Sequence, residues 1–327
     1  MTAHGRLKVV VARELLPAGA KQLAERFELL SGGLESTRDE LLDLVPGASA
    51  IVADPTVSID DELLEAAGSG LRLVANFAVG YDNVDRSACM RRGVVLTNTP
   101  DVLTNATAEL AMGLTLAAAR QIPAAERELR GGRWSGWDPA DYRGIELSGA
   151  TVGVIGMGRI GIRYARLMKT FGGEILYTSR GRKPKEEAEL GARMVNLDDL
   201  LSGSDVVSLH LAAAPGNRHL IDSRAISLMG PDSILVNTAR GSMVDSLALA
   251  SALAEGRLGA AGLDVFEDEP DVPAALLDAP RAVLTPHIGS ATYRSRDAMA
   301  ELVARNVIAV LEGGDPLSPV NLSPEGK

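Results

Sequence analysis

Apolar residues fall along this chain in short β-branched runs separated by stretches of helical period. Leu7–Val11 is such a run, and a helical pattern follows from Pro17 to Leu30, with Pro17 suited to a first helical turn. Ala50–Val52, Leu71–Asn76 and Val94–Thr97 predict buried strands, with helices over Asp60–Ala67 and Val84–Arg92 between them. Strands alternating with helices imply a parallel sheet covered on both faces, and this unit ends near Pro100. From Thr104 to Leu129 only Pro123 interrupts a helical pattern rich in Ala, Leu, Met and Glu, which predicts one long helix kinked or restarted there. A second alternation follows. Strands are expected at the run ending in Ile155 and over Glu174–Ser179, Asp205–Leu209, Ser233–Asn237 and Ala260–Asp264. Helices are expected over Arg159–Phe171, Asp222–Met229 and Asp245–Glu255. The fold class is α/β, with two doubly wound parallel-sheet domains.

Composition narrows the class of function. The 327 residues, 46% hydrophobic and 23% charged, suffice for two ordinary cores. A net charge of -10 argues against a general nucleic-acid surface, so any anion site must be local. Cys89 is the only cysteine, which leaves no intrachain disulfide and no cysteine-based metal cluster; no metal is expected, and the cytoplasm is the expected compartment. Met1–Val11 lacks the features of a signal peptide, and no apolar stretch approaches membrane-spanning length without a charge or a glycine.

The first chemistry-bearing stretch is Thr151-Val152-Gly153-Val154-Ile155-Gly156-Met157-Gly158-Arg159-Ile160-Gly161, a strand, tight turn and helix. Gly156 suits the turn, Gly158 leaves room for a pyrophosphate, and Gly161 lets helix and strand pack closely, so that the first helical amides face the phosphates. A bound dinucleotide is the expectation. The next strand ends in Thr178-Ser179-Arg180-Gly181-Arg182-Lys183, where an NAD site would place an acid about 20 residues beyond the glycines. Hydroxyls and cations stand there instead. The hydroxyls of Thr178 and Ser179 and the cations of Arg180, Arg182 and Lys183 suit the 2′-phosphate of NADP and predict a preference for NADPH over NADH, although a solvated basic turn would look the same.

Two further loops invite attention. Phe77-Ala78-Val79-Gly80-Tyr81-Asp82 follows a strand end, where Gly80 would give a ligand access to main-chain amides; an ordinary strand-to-helix turn fits equally. Gly131-Gly132-Arg133-Trp134-Ser135-Gly136-Trp137 carries both tryptophans of the chain in a glycine-rich loop. A partner surface, most simply a homodimer through residues 104–137, accounts for it; core anchoring by the same residues is the alternative.

Three ionisable residues stand at or just past strand ends: Arg240 in Val236-Asn237-Thr238-Ala239-Arg240-Gly241, Glu269 in Asp264-Val265-Phe266-Glu267-Asp268-Glu269-Pro270, and His287 in Leu284-Thr285-Pro286-His287-Ile288-Gly289-Ser290. The other histidines fit less well. His4 is terminal, His210 ends a strand that would border the cofactor, and His219 lies in a polar loop. An arginine can hold a carboxylate by two parallel hydrogen bonds, and a histidine beside a carboxylate can deliver a proton. Arg240, Glu269 and His287 are therefore the expected catalytic group.

With these motifs the chain resembles the D-2-hydroxyacid dehydrogenase family over nearly its whole length, and Thr99-Pro100-Asp101-Val102-Leu103-Thr104 and Tyr177-Thr178-Ser179-Arg180 are similar to its glyoxylate/hydroxypyruvate reductase branch. The resemblance implies NAD(P)H-dependent reduction of a small 2-oxo acid. Arg240 would bind the substrate carboxylate and carbonyl oxygen, His287 would donate the proton, and Glu269 would be its partner. It implies that Val79 and Gly80 amides hold the carboxylate, with Ser290 also at the substrate and Trp137 reaching it from the neighbouring subunit. Thr107 would contact the phosphates and Asp264 the nicotinamide carboxamide, with Arg159, Ile160, Leu211, Thr238, Ala239 and Gly289 completing the cofactor's surroundings. It also implies Rossmann-like and flavodoxin-like domains, the substrate domain being discontinuous: residues 1–101 with 290–327, the last helix over Tyr293–Leu311, around a dinucleotide domain of 102–289. The substrate cleft would lie between them. An NAD-linked phosphoglycerate or D-lactate dehydrogenase, and a dinucleotide-sensing corepressor of the same fold, are the competing readings.

Overall fold

The computed structural model describes residues 5–322, so His4 and the outermost residues of both expected domain segments lie outside it. The chain divides into two units. One holds the described residues through Leu103 and those from Ala291 onward; the other is Thr104–Ser290.

In the first unit β1 (Lys8–Val11), β2 (Glu28–Ser31), β3 (Ala50–Ala53), β4 (Leu73–Asn76) and β5 (Val95–Thr97) form an all-parallel sheet of order β2-β1-β3-β4-β5. Successive side chains of a strand face opposite ways, and here each way is a core. Val9, Val11, Ala50 and Val52 pack on one side with Leu23 of α1 (Pro17–Arg26), while Val10, Ile51 and Val74 pack on the other. That second face is covered by α2 (Arg38–Leu44), α3 (Asp61–Ala67) and α4 (Arg86–Arg92). The helical pattern drawn through Leu30 is corrected by β2: Phe27 turns extended and buries its ring, and the next four residues join the sheet edge. Sequence reasoning also missed α2, although its start carries a capping box in which the Thr37 hydroxyl accepts from Glu40 N and the Glu40 carboxylate accepts from Thr37 N.

The second unit opens with α5 (Thr104–Ala119) and α6 (Ile122–Arg130), the predicted restart falling at Gln121, whose φ is +52°. Then come β6 (Val152–Ile155), α7 (Arg159–Lys169), β7 (Ile175–Thr178), α8 (Pro184–Leu190), β8 (Arg193–Met194), α9 (Leu197–Ser202) and β9 (Val206–Leu209). They are followed by α10 (Ser223–Leu228), β10 (Ile234–Asn237), α11 (Ser246–Ala254), β11 (Ala260–Leu263), α12 (Ala274–Leu277) and β12 (Ala282–Leu284). The seven parallel strands run β12-β11-β10-β9-β6-β7-β8. The order reverses between β6 and β9, which creates the crevice where ligands of open α/β sheets bind, beyond the carboxyl ends of the strands. The chain then returns to the first unit as α13 (Tyr293–Leu311), whose Ala300, Val303 and Val307 pack in the core that holds Leu23. No helix among the described residues is long and apolar enough to cross a membrane.

Candidate active site

The glycine turn lies at the carboxyl end of β6, beside the switch point. Gly156 has φ +99°, and a Cβ there would come within 2.8 Å of the His210 carbonyl and of Leu211 Cδ2, so only glycine fits both the turn and the neighbouring strand end. At Gly161 a Cβ would stand 2.1 Å from the Gly156 carbonyl oxygen, whereas at Gly158 it would meet nothing within 4 Å. The space over Gly158 is open. No side chain caps the start of α7 at Gly158, which leaves its first turn, from Arg159 through Ile160, to an external anion. Two buried polar atoms at adjacent strand ends, Thr238 Oγ1 and His210 Nδ1, have no hydrogen-bond partner among the described residues. Uncapped helix, open glycine and unpaired polar atoms together fit a dinucleotide lying across β6, β9 and β10. Burial pushes the His210 imidazole down to about 3, so it stays neutral, its Nε2 paired with Ser208 Oγ at 2.9 Å.

At the end of β7 the structure refines the sequence reading. An acid does reach the basic turn, because α8 brings Glu187 back to it. Arg182 donates to Glu187 through Nε at 3.1 Å and Nη2 at 2.5 Å, and Tyr177 Oη donates to the same carboxylate at 2.5 Å. The Arg182 and Tyr177 bonds hold the Glu187 carboxyl far down, at about 2. Ser179 Oγ donates to Gly181 O at 2.6 Å. Arg180 is exposed and, like Lys183, makes no ion pair among the described residues, so it is the arginine left uncommitted at this turn.

Past β11 and β12 the structure brings Glu269 and His287 together. Glu269 Oε2 lies 2.7 Å from His287 Nδ1, and Glu269 Oε1 accepts from Phe266 N at 2.9 Å. Burial raises the Glu269 carboxyl, but the bonds from His287 and Phe266 and the charges of His287 and Arg240 outweigh it, and the group sits below its ordinary value. His287 itself is held at φ +50°, a left-handed conformation that only strong surroundings maintain for a non-glycine residue. Those surroundings are Asp264. Its buried carboxylate accepts from Thr285 Oγ1 at 2.7 Å, Ile288 N at 2.8 Å and Gly289 N at 2.8 Å, so it clamps the whole turn that presents His287. Thr107 at the start of α5 adds a bond to Gly289 O at 3.2 Å. The resemblance assigns Asp264 and Thr107 to the cofactor; the structure shows both fastening the histidine's turn.

Arg240 follows β10. Asn237, buried, accepts from Ala239 N at 2.9 Å and donates to Arg240 O at 2.8 Å, which closes the loop around the unpartnered Thr238 hydroxyl and fixes where the arginine emerges. Sequence reasoning missed Asn237; its signal was a buried amide one turn before the arginine.

In the first unit the Val79–Gly80 turn is also braced by residues not foreseen. Thr99 N donates to Ala78 O at 2.9 Å, Asn98 Nδ2 to Val79 O at 2.8 Å and Asn76 Nδ2 to Gly80 O at 2.7 Å. In a trans peptide the N–H points opposite to its own C=O, so anchoring the Ala78 and Val79 carbonyls turns the Val79 and Gly80 amides away from those anchors. Trp134 and Trp137 are 58% and 83% exposed, which removes core anchoring as their role. No group of three or more His, Cys, Asp or Glu side chains among the described residues could hold a metal ion.

By fold, and by an acid–base pair at the open edge of the sheet, the class is that of dinucleotide-linked dehydrogenases. The family model described as D-isomer specific 2-hydroxyacid dehydrogenase, NAD binding domain, matches residues 112–289. The glyoxylate reductase of Thermococcus onnurineus is 46% identical over 320 residues, covering 96% of both chains, and that of Pyrococcus furiosus is 46% identical over 96% of this chain and 95% of its own. Among solved structures, the NADPH-dependent glyoxylate/hydroxypyruvate reductase of Sinorhizobium meliloti, in complex with NADP and malonate, superposes with a TM-score of 0.86 at 36% identity, covering 99% of each chain. The chain belongs to the D-2-hydroxyacid dehydrogenase family, in its glyoxylate/hydroxypyruvate reductase branch.

Proposed function

We propose that this chain is an NADPH-preferring reductase of glyoxylate and hydroxypyruvate in which His287 supplies the proton. The reaction is NAD(P)H-dependent reduction of a small 2-oxo acid to the 2-hydroxy acid, as its relatives' names indicate. The observation that carries the assignment of His287 is its 2.7 Å pairing with Glu269 beside the dinucleotide crevice.

When bound, the nicotinamide would supply the hydride. Arg240 cannot lose its proton and holds the substrate carboxylate, and with it the carbonyl carbon, in one orientation. By the family resemblance, the Val79 and Gly80 amides of the first unit would be further carboxylate donors. Charge develops on the carbonyl oxygen as it is reduced. His287 Nδ1 is committed to Glu269, so Nε2 is the atom that carries the transferable proton. Once Nε2 has given it up, the Nδ1–H bond to Glu269 keeps the neutral ring in place for reprotonation, and Asp264 keeps its turn from relaxing. Thr238, Ala239, Leu211 and the α7 amides would hold the cofactor, Arg180 its 2′-phosphate, and Ser290 the substrate side of the His287 turn. A homodimer through 104–137, with Trp137 entering the partner's site, is supported by the exposure of Trp137, Leu129 and Ile122. A cytoplasmic setting is supported by a lone free cysteine, Cys89, that is buried.

The test is the rate of nicotinamide absorbance loss with glyoxylate, hydroxypyruvate and pyruvate, each with NADPH and NADH. Oxidation of NADPH by the first two is expected, and His287→Ala should lower kcat by roughly 10²–10⁴-fold. Near-normal turnover in that variant would remove His287 from the mechanism; no turnover of any 2-oxo acid despite tight dinucleotide binding would favour a sensor.

A further inference from the structure

A second histidine–glutamate pair flanks the same loop that carries Glu269. His219 Nε2 lies 3.0 Å from Glu267 Oε1 and 3.2 Å from Oε2, and Arg218 forms an ion pair with the same carboxylate. His219 adopts φ +47°, a left-handed conformation that His287 also adopts, so both histidines are presented by a disfavoured backbone.

What this pair grips is the Arg240 loop. The His219 amide donates to Ser242 O at 2.8 Å, the Ile221 amide to Met243 O at 2.9 Å, and the Asp245 amide to Ile221 O at 3.0 Å, a short bridge that zips 219–221 to the residues just beyond Arg240. On its other side that loop lies against the Glu269 loop. A Cβ on Gly241 would stand 1.8 Å from the Phe266 carbonyl carbon and 2.4 Å from Glu267 N, so the two backbones are in direct contact. Phe266 in turn donates its amide to Glu269. Three loops thus meet in one stack, and Glu267, held by His219 together with Arg218, is the side-chain tie between its outer members, with the Arg240 loop held in the middle.

We infer that His219 and Glu267 are positioning residues for the reduction, setting where Arg240 stands relative to the Glu269–His287 pair. The inference rests on the reading of Arg240 as the holder of the substrate carboxylate. Neither residue touches the reacting atoms. Losing the tie lets the Arg240 loop shift, which weakens a carboxylate contact made alike before and during hydride transfer, and therefore acts on KM more than on kcat.

The experiment measures glyoxylate and NADPH kinetics for His219→Ala, Glu267→Gln and Arg240→Lys, and for the double variant His219→Ala with Arg240→Lys. Expected are a KM for glyoxylate raised about tenfold in His219→Ala and Glu267→Gln, a kcat within about threefold, and an NADPH KM within about twofold of the parent. His219→Asn, which keeps a donor and tolerates the left-handed backbone, should recover most of the loss. The double variant should lose less than the product of the two single losses, since the tie acts through the arginine. A lower Tm with unchanged KM in both single variants, or losses that multiply, would overturn the inference while leaving Arg240 in place. An unchanged KM in Arg240→Lys would overturn the reading of Arg240, and the inference with it.

Discussion

The two arginines after β7 should not contribute equally to cofactor choice. Arg182 already gives two hydrogen bonds to Glu187, at 3.1 and 2.5 Å, whereas Arg180 makes no ion pair among the described residues. A hydrogen bond between charged groups contributes about 1.5–3 kcal/mol when partly shielded, and an exposed pair much less. Arg180 on a 2′-phosphate at the protein surface is therefore worth roughly 1–2 kcal/mol, and each 1.4 kcal/mol is about a tenfold change in Kd. Arg180→Ala should weaken NADPH about 5- to 30-fold and leave NADH nearly unchanged. For Arg182→Ala the effect should be about threefold or less, because breaking the Glu187 pair offsets what the phosphate would gain. Releasing Arg182 by Glu187→Gln should tighten NADPH instead. Titration by nicotinamide fluorescence at low and high salt is the assay, and the Arg180 effect should shrink with salt as surface charges are screened. Equal losses for NADPH and NADH in Arg180→Ala, or a larger effect from Arg182 than from Arg180, would refute this reasoning.

Other substitutions separate structural from ligand roles. Gly158→Ala meets open space and should keep its Tm while raising the NADPH Kd about tenfold or more, since the methyl occupies the approach of the pyrophosphate; unchanged affinity would place the cofactor elsewhere. Gly156→Ala, at φ +99° against the His210 carbonyl, should lower Tm as well. Burial raises the Asp264 carboxyl above its ordinary 3.8 despite the bonds from Thr285, Ile288 and Gly289. The native state then binds that proton more tightly than the unfolded chain, so this contribution to stability is full below 3.8 and is lost as pH rises through the raised value. The Tm difference between parent and Asp264→Asn should accordingly change with pH in that direction, with kcat reduced throughout as the His287 turn loses an acceptor; a pH-independent difference would refute it. Trp137→Ala should raise the glyoxylate KM if the residue enters a neighbouring subunit's site, and sedimentation of the parent as a monomer would rule that out.

What was legible in the sequence was whatever the chain encodes locally. Gly156, Gly158 and Gly161 must stand at fixed spacing behind a buried strand, and Arg240, Glu269 and His287 each follow a strand whose apolar run is unmistakable, so their common edge of the sheet could be read off. Strand β2 was misassigned because four partly exposed edge residues carry no periodicity distinct from the helix before them. The site's supports were illegible for a different reason. Glu187 reaches Arg182 only because α8 folds back; Asn98 orients the Val79 peptide across 19 residues; His219 finds Glu267 across 48. Asp264, expected at the cofactor, accepts the bonds that hold the left-handed turn of His287. A sequence shows which residue types are available to a reaction, but which of them remain uncommitted depends on the pairs that tertiary structure makes. At this site those pairs commit Arg182 to Glu187 and His287 Nδ1 to Glu269, and leave Arg180 outside any ion pair among the described residues.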